Sequence, residues 1–219
     1  MNWSFSSLKD FEQCNRRYHE VRVLKKYPRE DTEQSIYGNN VHTAAENYVR
    51  TGAIDEAYAF MKPIVDALTT KDGKKLTEVK MALTVGLEPC PWKDSAAWVR
   101  GIADLMILDD ANGMAWVVDY KTGSAKYPDK DQLDLMSLLV FAHYPQIVQV
   151  NSALIFVVKD VFIKHKRFIT EVDTLWWAYR NRVAKIEKST ANGVWNPKQS
   201  GLCKKHCPVL TCEFNGRNQ

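Results

Sequence analysis

Apolar residues recur along this chain in two rhythms, one helical and one alternating. In residues 4–23, Leu8, Phe11 and Cys14 fall at helical spacing, and Ser6 or Ser7 can cap the start, so a first helix is predicted. A charged stretch, residues 25–34, follows. A second helix is predicted from residues 36–38 to Arg50, with Gly52 placed to end it, and a third over 55–68 with Pro63 as a candidate break. The rhythm then changes. Segments 78–87, 97–108 and 114–120 are short, rich in Val, Ile, Leu, Met and Trp, and bounded by polar residues, which predicts strands. The turn signal 109–113, Asp-Asp-Ala-Asn-Gly, makes the last two a hairpin. A helix over 131–142, strands over 152–159 and 161–169, and a helix from Thr170 or Asp173 to about Lys188 complete the pattern. Helices first, then three strands, a helix, two strands and a helix describe an α/β domain with a mixed sheet flanked by helices.

Size and charge add bounds. The 219 residues suit one domain, 45% of them are hydrophobic, and the net charge is +4. That permits nucleic-acid binding without requiring it, since no polybasic block is present. The longest apolar runs, such as 153–158, are strand-sized and too short to span a bilayer. The opening residues lack the layout of a signal peptide, so a cytoplasmic protein without a membrane partner is expected.

Candidate chemistry gathers at the strand ends. Asp104 lies in one apolar stretch, and Asp119 and Lys121 end the next. Side chains alternate along a strand, so Asp119 and Lys121 share a side with Tyr120 opposite. Two carboxylates brought to one spot repel, and a divalent cation resolves the conflict. Mg²⁺ takes hard oxygen ligands, can activate water and can neutralise charge building on a phosphoryl group. A nearby lysine can orient that water. The layout is that of a metal-dependent phosphodiesterase site. His42 and Glu46 share a helix face, but the two-histidine pattern of a zinc protease is absent.

Five blocks carry a family resemblance: Ser4-Phe-Ser-Ser-Leu8 with Phe11, Cys14 and Tyr18; Gly38-Asn-Asn-Val-His42; Gly101-Ile-Ala-Asp104; Asp119-Tyr-Lys121-Thr-Gly123; and Gln132-Leu133. In this order they resemble the PD-(D/E)XK nuclease superfamily, and within it RecB-like exonucleases, especially CRISPR-associated and phage-type members with a cysteine-bound cluster. The resemblance implies a restriction-endonuclease-like core that cleaves DNA with one or two Mg²⁺ or Mn²⁺ ions. His42, Asp104, Asp119 and the Tyr120 carbonyl would be ligands. Lys121 would aid the attacking water, and Gln132 and Glu78 would support substrate or metal. Met136 stands where members often have tyrosine, so no substrate contact is extended to it.

Cys203, Cys207 and Cys212 place three thiols in ten residues. Cys14 stands where the resembling nucleases supply a distant first cysteine, and with it the resemblance implies a [4Fe–4S] cluster joining the N-terminal helix to the tail. Zinc on the same thiolates, or with His206 replacing one, is the alternative. The single nuclease domain, 1–219, then divides into an N-terminal helix and loop (1–35), a catalytic core (36–190) and a cysteine-rich tail (191–219). Arg16, Arg17, Lys164, Lys166 and Arg167 are candidate phosphate contacts. Trp176, Trp177, Tyr179 and Trp195 could stack on bases, although helical spacing favours core packing for the helix-borne ones. The expected activity is exonuclease action on DNA with a free end. It would serve recombination, repair or phage DNA processing in a bacterial or phage-infected cell, alone or as an oligomer, with a recombination or single-strand-annealing partner. A structure-selective endonuclease and a non-catalytic DNA-binding assembly subunit are the alternatives.

Overall fold

The computed structural model describes residues 2–28 and 30–218; Arg29 of the charged stretch lies outside the described residues. Its elements in order are β1 (Trp3–Ser4), α1 (Phe5–Gln13), α2 (Asn15–Tyr18), α3 (Glu33–Thr51), α4 (Lys62–Thr69), β2 (Lys74–Leu83), β3 (Val99–Asp109), β4 (Met114–Lys121), α5 (Asp131–His143), β5 (Gln149–Phe156), β6 (Val161–Phe168) and α6 (Val172–Asn192). Residues 1–30 with 177–219 form one compact unit, and residues 31–176 form another.

In the first unit, the helix expected over 4–23 is interrupted. Ser4, not Ser6 or Ser7, is the cap of α1. Its hydroxyl accepts from the Ser7 amide while Ser7 Oγ accepts from the Ser4 amide, a reciprocal capping box. At Cys14 the backbone turns extended, and α2 restarts behind it with the thiol at the cap position. Residues His19–Val23 then widen into a π-helical turn. Leu8, Phe11 and Tyr18 are buried. Trp195 packs edge-on to Phe11 and stacks on Tyr18 and on His19, the last with ring centroids 4.6 Å apart.

The second unit carries the sheet. α3 starts at Glu33, three residues ahead of the earliest predicted start, because Thr32 caps it and forms another capping box with Ser35; Gly52, in the left-handed conformation, closes it as expected. The helix expected over 55–68 is a 3₁₀ stretch, Glu56–Met61, followed by α4. Pro63 lies in the first turn of α4, where its missing N–H costs nothing, so it begins a helix instead of breaking one. β2 begins at Lys74, not 78, its start hidden by lysines on a half-exposed strand.

The strand order is β2-β3-β4-β5-β6, antiparallel throughout except for the parallel β4–β5 pair that α5 bridges. On one face α3 and α4 bury Val41, Ala45, Met61 and Val65 against Leu105, Ile107, Val118, Tyr120 and Ile155. On the other, Leu133 of α5 packs on Leu154 and Phe156. α5 approaches β3 closely at Gly101, where a Cβ would stand 2.4 Å from Leu139 Cδ1 and 3.0 Å from Met136 Sδ. Met136 is therefore a packing residue. No helix among the described residues is long and apolar enough to cross a membrane.

Candidate active site

The sheet's register builds the site. The β3–β4 ladder ends at the pair Leu105–Val118, so the next positions along the two strands are Asp104 and Asp119. On the other side of β3, the pairs Thr77–Leu105 and Val79–Ala103 bracket Glu78 opposite Asp104. Glu78, Asp104 and Asp119 thus occupy one row across three neighbouring strands. Glu78 has φ +50°, a left-handed conformation uncommon for a side-chain-bearing residue and concentrated at functional sites.

α3 adds the imidazole. Gly38 lies one turn before His42, and a Cβ there would come within 3.2 Å of Thr122 Oγ1, so the glycine lets the helix sit close to the end of β4. His42 Nδ1 is 3.2 Å from Asp104 Oδ2, which also accepts the Tyr120 backbone N–H at 2.7 Å. Ligand atoms of His42, Glu78 and Asp104 all lie within 4.8 Å of one another. One turn on, Glu46 is held by Arg50 at 2.9 Å, and Arg50 Nε donates to Thr77 Oγ1.

Asp119 is gripped from a different side. Its Oδ2 lies 2.6 Å from Lys121 Nζ, the closeness that alternation along β4 predicts, and Gln132 Nε2 at the start of α5 donates to Oδ1. Oδ2 is buried and accepts no well-directed hydrogen bond among the described residues. Tyr120, between them, turns its ring into the α3–α4 core.

The electrostatics follow. Burial raises the Glu78 carboxyl above the usual carboxylate range, and the Asp104 and Glu46 charges raise it further. Burial likewise raises Asp119, with Lys121 opposing and Asp104 assisting. For His42 burial acts downward, but the hydrogen bond and charge of Asp104, with the charge of Asp119, outweigh it and raise the imidazole. Crowded acids and an imidazole fit a divalent cation, which would relieve the repulsion. The compact triad contains Glu78 where the sequence pattern favoured Asp119 as a ligand. Asp119 stands beside the triad in the same row.

The remaining expected residues are placed as follows. Arg16 pairs with Glu213 at 2.7 Å, Arg17 with Asp10 at 3.1 Å, and Arg167 with Asp134 at 2.7 Å and Glu171 at 3.0 Å. Their guanidinium groups are committed to carboxylates of the chain, a partnership that spacing along the sequence does not reveal. Lys164 and Lys166 stand exposed on β6. Trp176 and Tyr179 are buried, Trp195 is packed in the aromatic cluster, and Trp177 is exposed.

All four cysteines of the expected cluster lie in the first unit and are free thiols. The Lys198 backbone links two of them: its N–H donates to Cys14 Sγ at 3.4 Å, and Cys203 Sγ lies 4.0 Å from its carbonyl. Cys207 and Cys212 are buried around Val209, and burial pushes the Cys212 thiol up. Among the described residues, no three Cys or His ligand atoms come within 4.8 Å of one another. Cys90 is a separate, half-buried thiol between prolines.

The chain is similar in structure to a provisionally named exonuclease from Eubacterium rectale, with a TM-score of 0.54, 14% identity, and coverage of 93% of this chain and 86% of that one. It also matches the crystal structure of SSO0001, with a TM-score of 0.48, 15% identity, and coverage of 98% and 87%. No curated protein sequence matches. A sequence profile of the PD-(D/E)XK nuclease superfamily matches residues 2–212, nearly the whole chain. With that match over the same segment that assembles the acidic row, the chain belongs to the PD-(D/E)XK nuclease superfamily.

Proposed function

We propose that the chain is a divalent-metal-dependent deoxyribonuclease that degrades DNA from a free end. The observation that carries this reading is the acidic row itself: Glu78, Asp104 and Asp119 side by side on three strands, with His42 on Asp104 and Lys121 on Asp119. A cation held there would polarise a phosphoryl oxygen and lower the pKa of a water nucleophile. His42, Glu78 and Asp104 would hold it, with Asp119 and the Tyr120 carbonyl completing the shell. Gln132 fixes Asp119 from the α5 side and so limits its rotation. Lys121, half-exposed beside it, is placed to orient a water and to meet developing negative charge.

End dependence is tested by offering linear and covalently closed circular DNA with Mn²⁺. Short products from the linear form and an untouched circle are expected; nicking of the circle would instead identify an endonuclease. Recombination, repair or phage DNA processing suits such an activity. The [4Fe–4S] cluster is part of the same proposal and rests on the positions of Cys14, Cys203, Cys207 and Cys212 along the chain, not on their placement, since no three of these thiols gather at one point among the described residues. A zinc ion on four thiolates would need neighbouring sulfurs about 3.8 Å apart, from the tetrahedron set by its bond length. The dispersed thiols do not fit that geometry as placed. Iron and acid-labile sulfide in anaerobically purified protein are expected in the cluster-bearing form, and their absence would remove the cluster.

A further inference from the structure

The sheet face beneath α3 and α4 is left open toward its β6 edge. There a groove of about 740 Å³ runs between α4 and strands β5 and β6. β6 alternates strictly: Phe162, Lys164, Lys166 and Phe168 are exposed on one side, while His165 and Arg167 turn toward Asp134 of α5. Across the groove floor lies Trp116, with the Lys71 ammonium 5.3 Å from its ring centroid; Lys166 stands 5.9 Å from that of Phe168. Among the described residues, no carboxylate pairs with Lys71, Lys164 or Lys166, in contrast to the arginines above. Asp160 is the acidic residue of the lining.

We propose that this groove binds single-stranded nucleic acid, with phosphates on Lys71, Lys164 and Lys166 and bases against Trp116 and Phe162. Aromatic rings interleaved with ammonium groups that pair with no carboxylate among the described residues match a ligand that repeats a flat ring and an anion. Side chains two residues apart on β6 repeat at roughly 6.7 Å, comparable with the phosphate spacing of an extended single strand. A duplex keeps its base faces stacked inside and cannot use the rings. An acidic protein segment would answer the lysines but not the paired ring faces. The groove and the site share a row of the sheet: Phe162 pairs with Ile155 and Ile155 with Tyr120, two strands or about 10 Å away, with Tyr120 on the groove face and Asp119 and Lys121 on the α5 face, so a bound strand would pass around the end of β4 to reach them. The inference rests on the nuclease reading only for where the strand leads; the ligand class comes from the groove.

The test measures fluorescence anisotropy of a labelled oligothymidylate in chelator, so that nothing is cut. The double variant Lys164→Glu/Lys166→Glu should lose at least tenfold in affinity. Two lost phosphate contacts should also flatten the dependence of log K on log salt by about 1.4. Asp160→Asn should tighten binding. A 5-iodouracil oligonucleotide should photocrosslink to the peptides holding Trp116 or Phe162. Parental affinity in the double variant, or crosslinks confined to other peptides, would overturn the proposal. So would binding of polyglutamate that the double variant loses while oligothymidylate binding persists, which would assign the groove to an acidic protein segment. Binding lost with the lysines in a protein that cuts no DNA would sink the active-site reading and leave the groove standing.

Discussion

Glu78 holds a backbone conformation that side chains avoid, at a cost on the order of 1 kcal/mol. It does so opposite Asp104, in the company of Glu46 and beneath His42. On the proposed reading Glu78 holds the metal ion, and its charge state gives a test of that. In the metal-free protein His42, Glu78 and Asp119 all have raised pKa values. Groups raised on folding bind more protons folded than unfolded, so their contribution to stability is present at low pH and lost as pH rises through the raised values. Metal binding needs the same groups deprotonated and runs the opposite way. The gain in thermal midpoint on adding Mn²⁺ should therefore widen as pH rises from the ordinary carboxylate range to above the ordinary histidine range, and should shrink in Glu78→Gln. A gain independent of pH, or unchanged in that variant, would place the ion elsewhere.

At the scale of elements, Gly101 and α5 show how packing aims the chemistry. Gly101 lies three residues before Asp104 and makes room for Leu139 and Met136. Gly101→Val would push α5 away from β3, and overpacking of this kind costs about 1–3 kcal/mol. Because Gln132 opens the same helix, the displacement should also lower Mn²⁺-dependent cleavage, both read from chemical denaturation and activity of one preparation. Full activity at unchanged stability would mean the helix does not position Gln132. The elements themselves were largely legible: the strands around Asp104 and Asp119 and the helix at 131–142 follow from periodicity alone. What stayed hidden was register and cap choice. A left-handed Glu78 opposite Asp104 has no signal in composition, and the lysines at 74 and 75 mask the start of β2. Nor does spacing reveal that Arg167 is spent on Asp134 while Lys164 and Lys166, beside it, pair with no carboxylate among the described residues.

For the whole molecule, the division of labour follows the two units. Residues 31–176 contain every member of the acidic row with His42, Lys121 and Gln132, and also the basic-aromatic groove. The other unit contains the four thiols and the aromatic cluster around Trp195. Family membership was legible from five short blocks, three of which mark places where backbone approach or charge leaves little choice of residue: Gly38 beside Thr122, Gly101 beneath α5, and the two aspartates where a ladder ends. The thiol arrangement was less legible, since ligand spacing along the chain says little about where Cys14 lies relative to the tail. The most direct test is hydrolysis of end-labelled linear DNA by the parent, Asp104→Asn and Lys121→Ala, with and without Mn²⁺. The parent should release short products only with the ion. Each variant should fold as the parent does and lose on the order of 10²-fold or more in rate. Parental rates in either variant, or an inert parent with its fold intact and Mn²⁺ present, would contradict a phosphodiester-cleaving site at this row.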